Sequence, residues 1–185
     1  MQRSTHGVQG EPPVVCLLAG GRATRLPRKL QRRIHGQTLL ARVHARFAAH
    51  YKVALSTAAS DSVPDAGPLG GIVSVFERCE HERIFVVAAD MPHADPRRVE
   101  QFCAAWSDEL QAVVARTPAG WEPLYALYER RAFLHAARSV LRGSRAVTDV
   151  VAKLKVLSID VPAQEAASVN TPQDFEMLLA REVRI

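Results

Sequence analysis

Apolar residues in this chain fall into two kinds of run. Some are short and continuous; others recur every three or four positions. Val14 to Leu18 (VVCLL) and Ile84 to Ala89 (IFVVAA) are continuous, as strands buried on both faces require. Val53–Ser56, Ala112–Ala115, Leu124–Tyr128 and Val156–Ile159 are runs of four or five residues that read as further strands. Between them, Leu40, Val43 and Phe47 recur at helical spacing. So do Leu69, Ile72, Val73 and Phe76, behind Pro68 as the first residue of a helix. Val99, Phe102, Cys103, Trp106 and Leu110 form a third helical face, opened by Asp95-Pro96. Two shorter helices are predicted near 131–141 and 146–154. Thr171-Pro172-Gln173-Asp174 resembles a capping box that starts the last helix, with Phe175, Leu178 and Leu179 on its apolar side.

Strands alternating with helices of about ten residues predict βαβ units and a mostly parallel sheet in an α/β fold. At 185 residues the chain has room for one domain. We read 1–12 as a flexible tail and 13–185 as that domain. Ligands of such sheets bind at the carboxyl ends of the strands. Three loops should therefore converge on one edge: Ala19–Lys29, Asp65–Gly71 and Asp90–Pro92.

Composition narrows the classes. With 48% hydrophobic and 23% charged residues the chain is globular rather than disordered or coiled. No apolar run reaches the roughly 18 residues of a membrane span, so no membrane partner is expected. Cys16, Cys79 and Cys103 are widely spaced and form no CxxC pair. They read as reduced thiols of a cytoplasmic protein rather than as a disulfide or zinc framework. Net charge is +5 but uneven: residues 1–60 hold ten Lys or Arg and one acid, Glu11. That asymmetry points to an anionic partner near the N-terminal half. Single-strand nucleic-acid binders interleave basic and aromatic residues; here residues 1–52 offer only Phe47 and Tyr51, so no nucleic acid is expected.

Three loops carry candidate chemistry. In LLAGGRATRLPRKL, Gly20 and Gly21 follow the first strand, and Arg25 and Lys29 add charge just beyond. Glycine N–H groups with Arg and Lys make a polyphosphate cradle; taken alone, the same residues also fit an ordinary turn. The spacing matches neither GxxxxGK[ST] nor GxGxxG. In DAGPLGGI, Gly70 and Gly71 sit inside a helix start, where glycine admits a ligand or simply close packing. Asp90, at the end of the clearest strand, reads as a turn former or as a Mg²⁺ ligand, since Mg²⁺ is held by one or two carboxylates plus substrate phosphates. The histidines show no zinc spacing. Trp106 and Trp121 read as core or rim positions.

Together these segments resemble the molybdenum cofactor guanylyltransferases. The matching residues are Leu18-Ala19-Gly20-Gly21, Arg25-Leu26, Lys29, Gly67-Pro68-Leu69-Gly70-Gly71, Asp90-Met91-Pro92 and Asn170-Thr171-Pro172. Glu122–Tyr128 resembles the family's late substrate-side segment. The likeness runs over about residues 14–180. Pro27 stands where the family usually has glycine, and the interval from Arg25 to Lys29 is short. The resemblance implies a three-layer Rossmann-like nucleotidyltransferase fold with a mostly parallel, mixed central sheet, and transfer of GMP from GTP to the terminal phosphate of molybdopterin or its molybdenum-loaded form, with Mg²⁺. It implies Arg25, Lys29 and Asp90 as catalytic residues and Asp90 as the metal ligand. Leu18, Ala19, Gly20, Gly21, Lys29, Asp65, Asp90 and Asn170 become the binding residues, Asn170 on the pterin side. Hand-over to acceptor molybdoenzymes or their chaperones is compatible with it. Gly70 favours GTP, because cytidylyl relatives tend to carry Arg there. The alternatives are a related transferase using CTP or another phosphorylated acceptor, and a non-catalytic cofactor carrier.

Overall fold

The computed structural model describes residues 11–20, 26–63 and 65–182. The strands are β1 (Val14–Leu18), β2 (Arg33–Ile34), β3 (Gln37–Thr38), β4 (Val53–Ser56), β5 (Arg83–Ala88), β6 (Ala112–Thr117), β7 (Gly120–Glu129) and β8 (Val156–Asp160). The helices are α1 (Leu39–Ala48), α2 (Gly67–Arg78), α3 (Arg97–Ala104), α4 (Arg130–Val140), α5 (Val147–Val151) and α6 (Pro172–Glu182).

Six strands form one sheet in the order β4-β1-β5-β7-β6-β8. β1 pairs with β4 and β5 in parallel, and β6 pairs with β8 in parallel. β7 is antiparallel to both β5 and β6. Hence β1, β4, β5, β6 and β8 all point one way and release their loops at one edge. The reversed strand follows from the link between β6 and β7. Only Pro118 and Ala119 separate them, which suffices for a hairpin and not for a crossover helix. Gly120 takes a φ of 124°, open to glycine alone, and lets β7 run back for ten residues rather than the five expected.

Each face of the sheet carries its own core. Leu39, Val43 and Phe47 of α1, Val99 and Phe102 of α3 and Phe175 and Leu178 of α6 pack on one face. Leu69, Ile72 and Phe76 of α2, Phe133 and Val140 of α4 and Val150 of α5 pack on the other. The three expected layers are therefore present. The helix expected to reach Leu110 ends at Ala104. Trp106 and Leu110 nonetheless pack against the α1–α3–α6 core from the turn that follows; their apolar spacing records contact with the core rather than helix. The β2–β3 hairpin was not expected. His35 and Gly36, with φ of 45° and 85°, make a two-residue turn of the type that matches strand twist. The expected tail lies outside the described residues up to residue 10. No helix among the described residues is long and apolar enough to cross a membrane.

Candidate nucleotide site

The site is built where β1 and β5 end side by side. The Leu18 carbonyl accepts from the Ala89 N–H at 2.9 Å, and the Ala19 N–H donates to the Ser56 carbonyl at 2.8 Å. These bonds carry the pairing one step past the strands, so the loops after β1, β4 and β5 leave from a common, rigid line. Leu18 is buried; Ala19 and Gly20 are half-buried. Gly21 and Arg25 lie outside the described residues.

Leu26 returns to the core, and a 3₁₀ turn over Lys29–Gln31 follows. Arg28, just before it, takes a left-handed φ of 53°. That turn sends the Lys29 side chain across the edge. Its ammonium forms a close ion pair with Asp90 Oδ2 and donates to Asn170 Oδ1 at 2.9 Å. The structure thus joins three expected residues separated by 61 and 141 positions. The Lys29 and Asp90 side chains keep 17% and 16% of their exposure, open enough for exchange with a ligand.

Asp90 is held by its backbone, and the turn that follows it is held at Asp95. The Asp90 carbonyl accepts from the Val169 N–H at 2.9 Å, which brings the C-terminal segment to the site. Beyond it, Tyr125 of β7 donates its hydroxyl to the Asp95 carbonyl at 3.1 Å and accepts from the Asp95 N–H at 2.9 Å. Burial pushes the Tyr125 hydroxyl well above the ordinary tyrosine range, so it stays neutral and can do both. Arg98 clasps Glu165 through two bonds of 2.8 and 2.7 Å and pins the returning segment to α3.

Asn170 is placed by α6. The Asp174 carboxylate accepts from the Asn170 and Thr171 N–H groups at 2.9 and 2.8 Å, while Thr171 Oγ1 accepts from the Asp174 N–H at 3.1 Å. This is the expected start of the last helix, and the two N–H bonds lower the Asp174 pKa. Asp174 was read only as a cap. Its effect on Asn170 follows from that cap spacing.

Asp65 lies two residues before α2, the helix that packs on the other face of the sheet. It takes a left-handed φ of 58°, and its carbonyl accepts from Arg145 at 2.6 Å. Arg145 had no signal in the sequence, being 80 positions away. Gly70 and Gly71 pack closely. A Cβ on Gly70 would meet the Val63 carbonyl oxygen at 2.7 Å, and one on Gly71 would meet Ser56 Oγ at 2.6 Å. Close approach of backbone and side chain is thus present at both glycines.

Asp90 Oδ1 is buried and has no hydrogen-bond partner among the described residues. A buried carboxylate oxygen is costly to leave unpaired. A hard cation with oxygen ligands fits it, completed by water and phosphate oxygens. Among the described residues no group of three His, Cys, Asp or Glu could hold a metal by itself. Two cavities, of about 570 and 610 Å³, lie at the opposite edge beside His81 and Arg83 and beside Gln111 and Lys153. Neither touches the Lys29–Asp90–Asn170 trio.

Residues 15–158 match the MobA-like NTP transferase domain. The chain belongs to the MobA-like NTP transferase family. It is 33% identical over 141 residues to a probable molybdenum cofactor guanylyltransferase of Natronomonas pharaonis, covering 71% of this chain and 68% of the relative. A molybdenum cofactor guanylyltransferase of Desulfosudis oleivorans is 26% identical over 183 residues, covering 86% and 91%. The fold matches the molybdopterin-guanine dinucleotide biosynthesis protein A of Archaeoglobus fulgidus with a TM-score of 0.74, at 18% identity, over 93% of this chain and all of that one. This MobA-like chain is thus a nucleotidyltransferase, and the glycine loop, Lys29 and Asp90 lie within the matched span.

Proposed function

We propose that this chain transfers GMP from GTP to the terminal phosphate of molybdopterin or its molybdenum-loaded form, releasing pyrophosphate. The observation that carries the reading is the Lys29 ammonium shared by Asp90 and Asn170, beside a buried carboxylate oxygen with no partner. A basic side chain and a lone carboxylate at a glycine loop suit a triphosphate. They do not make a nucleophile–base pair.

None is needed. The acceptor's terminal phosphate is already anionic. One of its oxygens attacks the α-phosphorus, a new P–O bond forms, and the bond from the α-phosphorus to the bridging oxygen breaks. Pyrophosphate leaves with that electron pair. The enzyme's task is positioning and charge neutralisation. Asp90 would hold Mg²⁺ through Oδ1, and the ion when bound supplies positive charge to the phosphates. Lys29 and Arg25 would offset charge on the leaving β- and γ-phosphates. The backbone from Leu18 to Gly21 and Asp65 would contact the nucleotide, and Asn170 the acceptor.

GTP rather than CTP is supported by Gly70, whose surroundings leave no room for the arginine that cytidylyl relatives tend to carry. We place the enzyme in the cytoplasm, as a single unit over 13–185, handing its product to acceptor molybdoenzymes or their chaperones. Incubation with α-labelled GTP, Mg²⁺ and molybdopterin should move the label into a dinucleotide and release pyrophosphate in equal amount. Label transfer from CTP at a higher rate, or none from either nucleotide, contradicts the assignment.

A further inference from the structure

The edge that carries Asp90 continues on the side away from the glycine loop. β7 lies next to β5, about 4.8 Å away, and β6 and β8 lie beyond it. At that edge Trp121 of β7 is the register partner of Arg116 of β6, which is the partner of Asp160 of β8. Directly opposed side chains share a face, so an indole, a guanidinium and a carboxylate stand in one row across three strands. All three are exposed: Trp121 to 46%, and the Arg116 and Asp160 side chains to 51% and 75%. Arg116 grips Asp160 with bonds of 2.7 and 3.1 Å.

The row is fixed in place. Thr117 Oγ1 donates to Glu122 Oε1 at 3.2 Å and accepts from the Ala119 N–H at 3.2 Å, stiffening the hairpin tip. Below it the register slips, from Val114 opposite Ala126 to Ala115 opposite Glu122. Such irregularities re-aim the end of a strand and recur beside active sites. Trp106 offers the contrast: its ring is covered by Arg83 at 5.4 Å. No ring or guanidinium of the described residues stacks on Trp121. An exposed indole on a rigid tip at the reacting edge is surface held ready for a flat ligand.

We propose that Trp121 is the plate on which the acceptor's fused 2-amino-4-oxo ring stacks, with the Arg116–Asp160 pair as its polar rim. The inference rests on the functional reading above. Asp160 can accept from the ring's amino group, and Arg116 can donate to its carbonyl oxygen. Guanine presents the same edge chemistry, and position separates the two. In-line displacement puts donor and acceptor on opposite sides of the reacting phosphorus. The glycine loop leaves β1 on one side of Asp90, and Trp121 stands on the other, so the indole faces the acceptor.

The test compares wild type, Trp121→Phe and Trp121→Ala in steady-state transfer, with KM measured separately for acceptor and GTP. Trp121→Ala should raise the acceptor KM about tenfold, the scale of one lost stacking contact. The GTP KM should stay within about twofold, and Trp121→Phe should recover most of the loss. A rise in the GTP KM instead assigns the indole to guanine and overturns the proposal. So does no change in either KM. Free 6-hydroxymethylpterin is a second probe, added to a Trp106→Phe background in which Trp121 is the remaining tryptophan. It should quench the indole emission, and guanosine should not. Absent turnover in wild type with intact pterin quenching would sink the functional reading alone; turnover without quenching or a KM effect would sink the stacking plate alone.

Discussion

At the scale of single residues, the site depends on close approach as much as on charge. Gly71 lies where β1, β4 and α2 meet, and a methyl there would press on Ser56 Oγ at 2.6 Å and Leu18 Cδ2 at 3.3 Å. Ser56 Oγ in turn donates to Asp61 at 3.0 Å, so it is not free to swing away. Gly71→Ala should destabilise the protein by about 1–3 kcal/mol, the usual cost of overpacking, read as a lowered denaturant midpoint. An unchanged midpoint would mean that the contact relaxes freely. Lys29 and Asp90 were legible as candidates because each sits in a short loop with its own chemistry, whereas Asn170 was marked only by the family resemblance. What spacing could not supply was their mutual contact, or the orphaned Asp90 oxygen. The bond from Arg145 to the Asp65 carbonyl was hidden for a plainer reason: one arginine among many carries no mark of its partner.

At the scale of elements, α6 acts on the site through its first turn. The Asp174 carboxylate accepts from the Asn170 and Thr171 N–H groups, and its pKa is lowered by them, Asn170 first. A carboxyl whose folded pKa lies below its unfolded value of about 3.9 stabilises the fold above that value. The contribution is lost as pH falls through the folded pKa. Asp174→Asn should therefore melt below wild type at pH 7, and the gap should shrink as pH falls below about 4. A gap that stays constant over that range would show that the charge of Asp174 contributes nothing. The capping box and both ends of this helix's apolar face could be read from sequence, since they rest on local rules. The end of α3 could not: its apolar stripe runs on through Trp106 and Leu110 because the turn after the helix still faces the core. The ten-residue β7 was half visible, in LYALY but not in the stretch from Gly120, whose pairing depends on β6.

At the scale of the whole molecule, the direction of each strand decides what meets at the edge. Five strands release their loops on one side, and the reversed β7 enters there. That layout gathers the β1 loop, the Asp90 turn and the Asn170 segment around one point and puts Trp121 across it. A mostly parallel sheet was legible from alternation, and its three-layer mixed form from the family resemblance; which strand is reversed was not, because the pattern of a buried strand carries no direction. The excess of basic residues before Asp61 was also plain. Its meaning became specific once Lys29 was found on Asp90, where its ammonium stands against the carboxylate that a cation would also need. The most direct test of this arrangement is calorimetric titration of GTP, with and without Mg²⁺, into wild type and Asp90→Ala. Wild type should bind GTP at least about tenfold tighter with Mg²⁺, a difference of about 1.4 kcal/mol, and should prefer it to CTP. Asp90→Ala should lose the Mg²⁺ enhancement yet bind metal-free GTP no more weakly, since Lys29 is then released toward the phosphates. A Mg²⁺ enhancement that survives intact in Asp90→Ala, or none in wild type, would contradict the account.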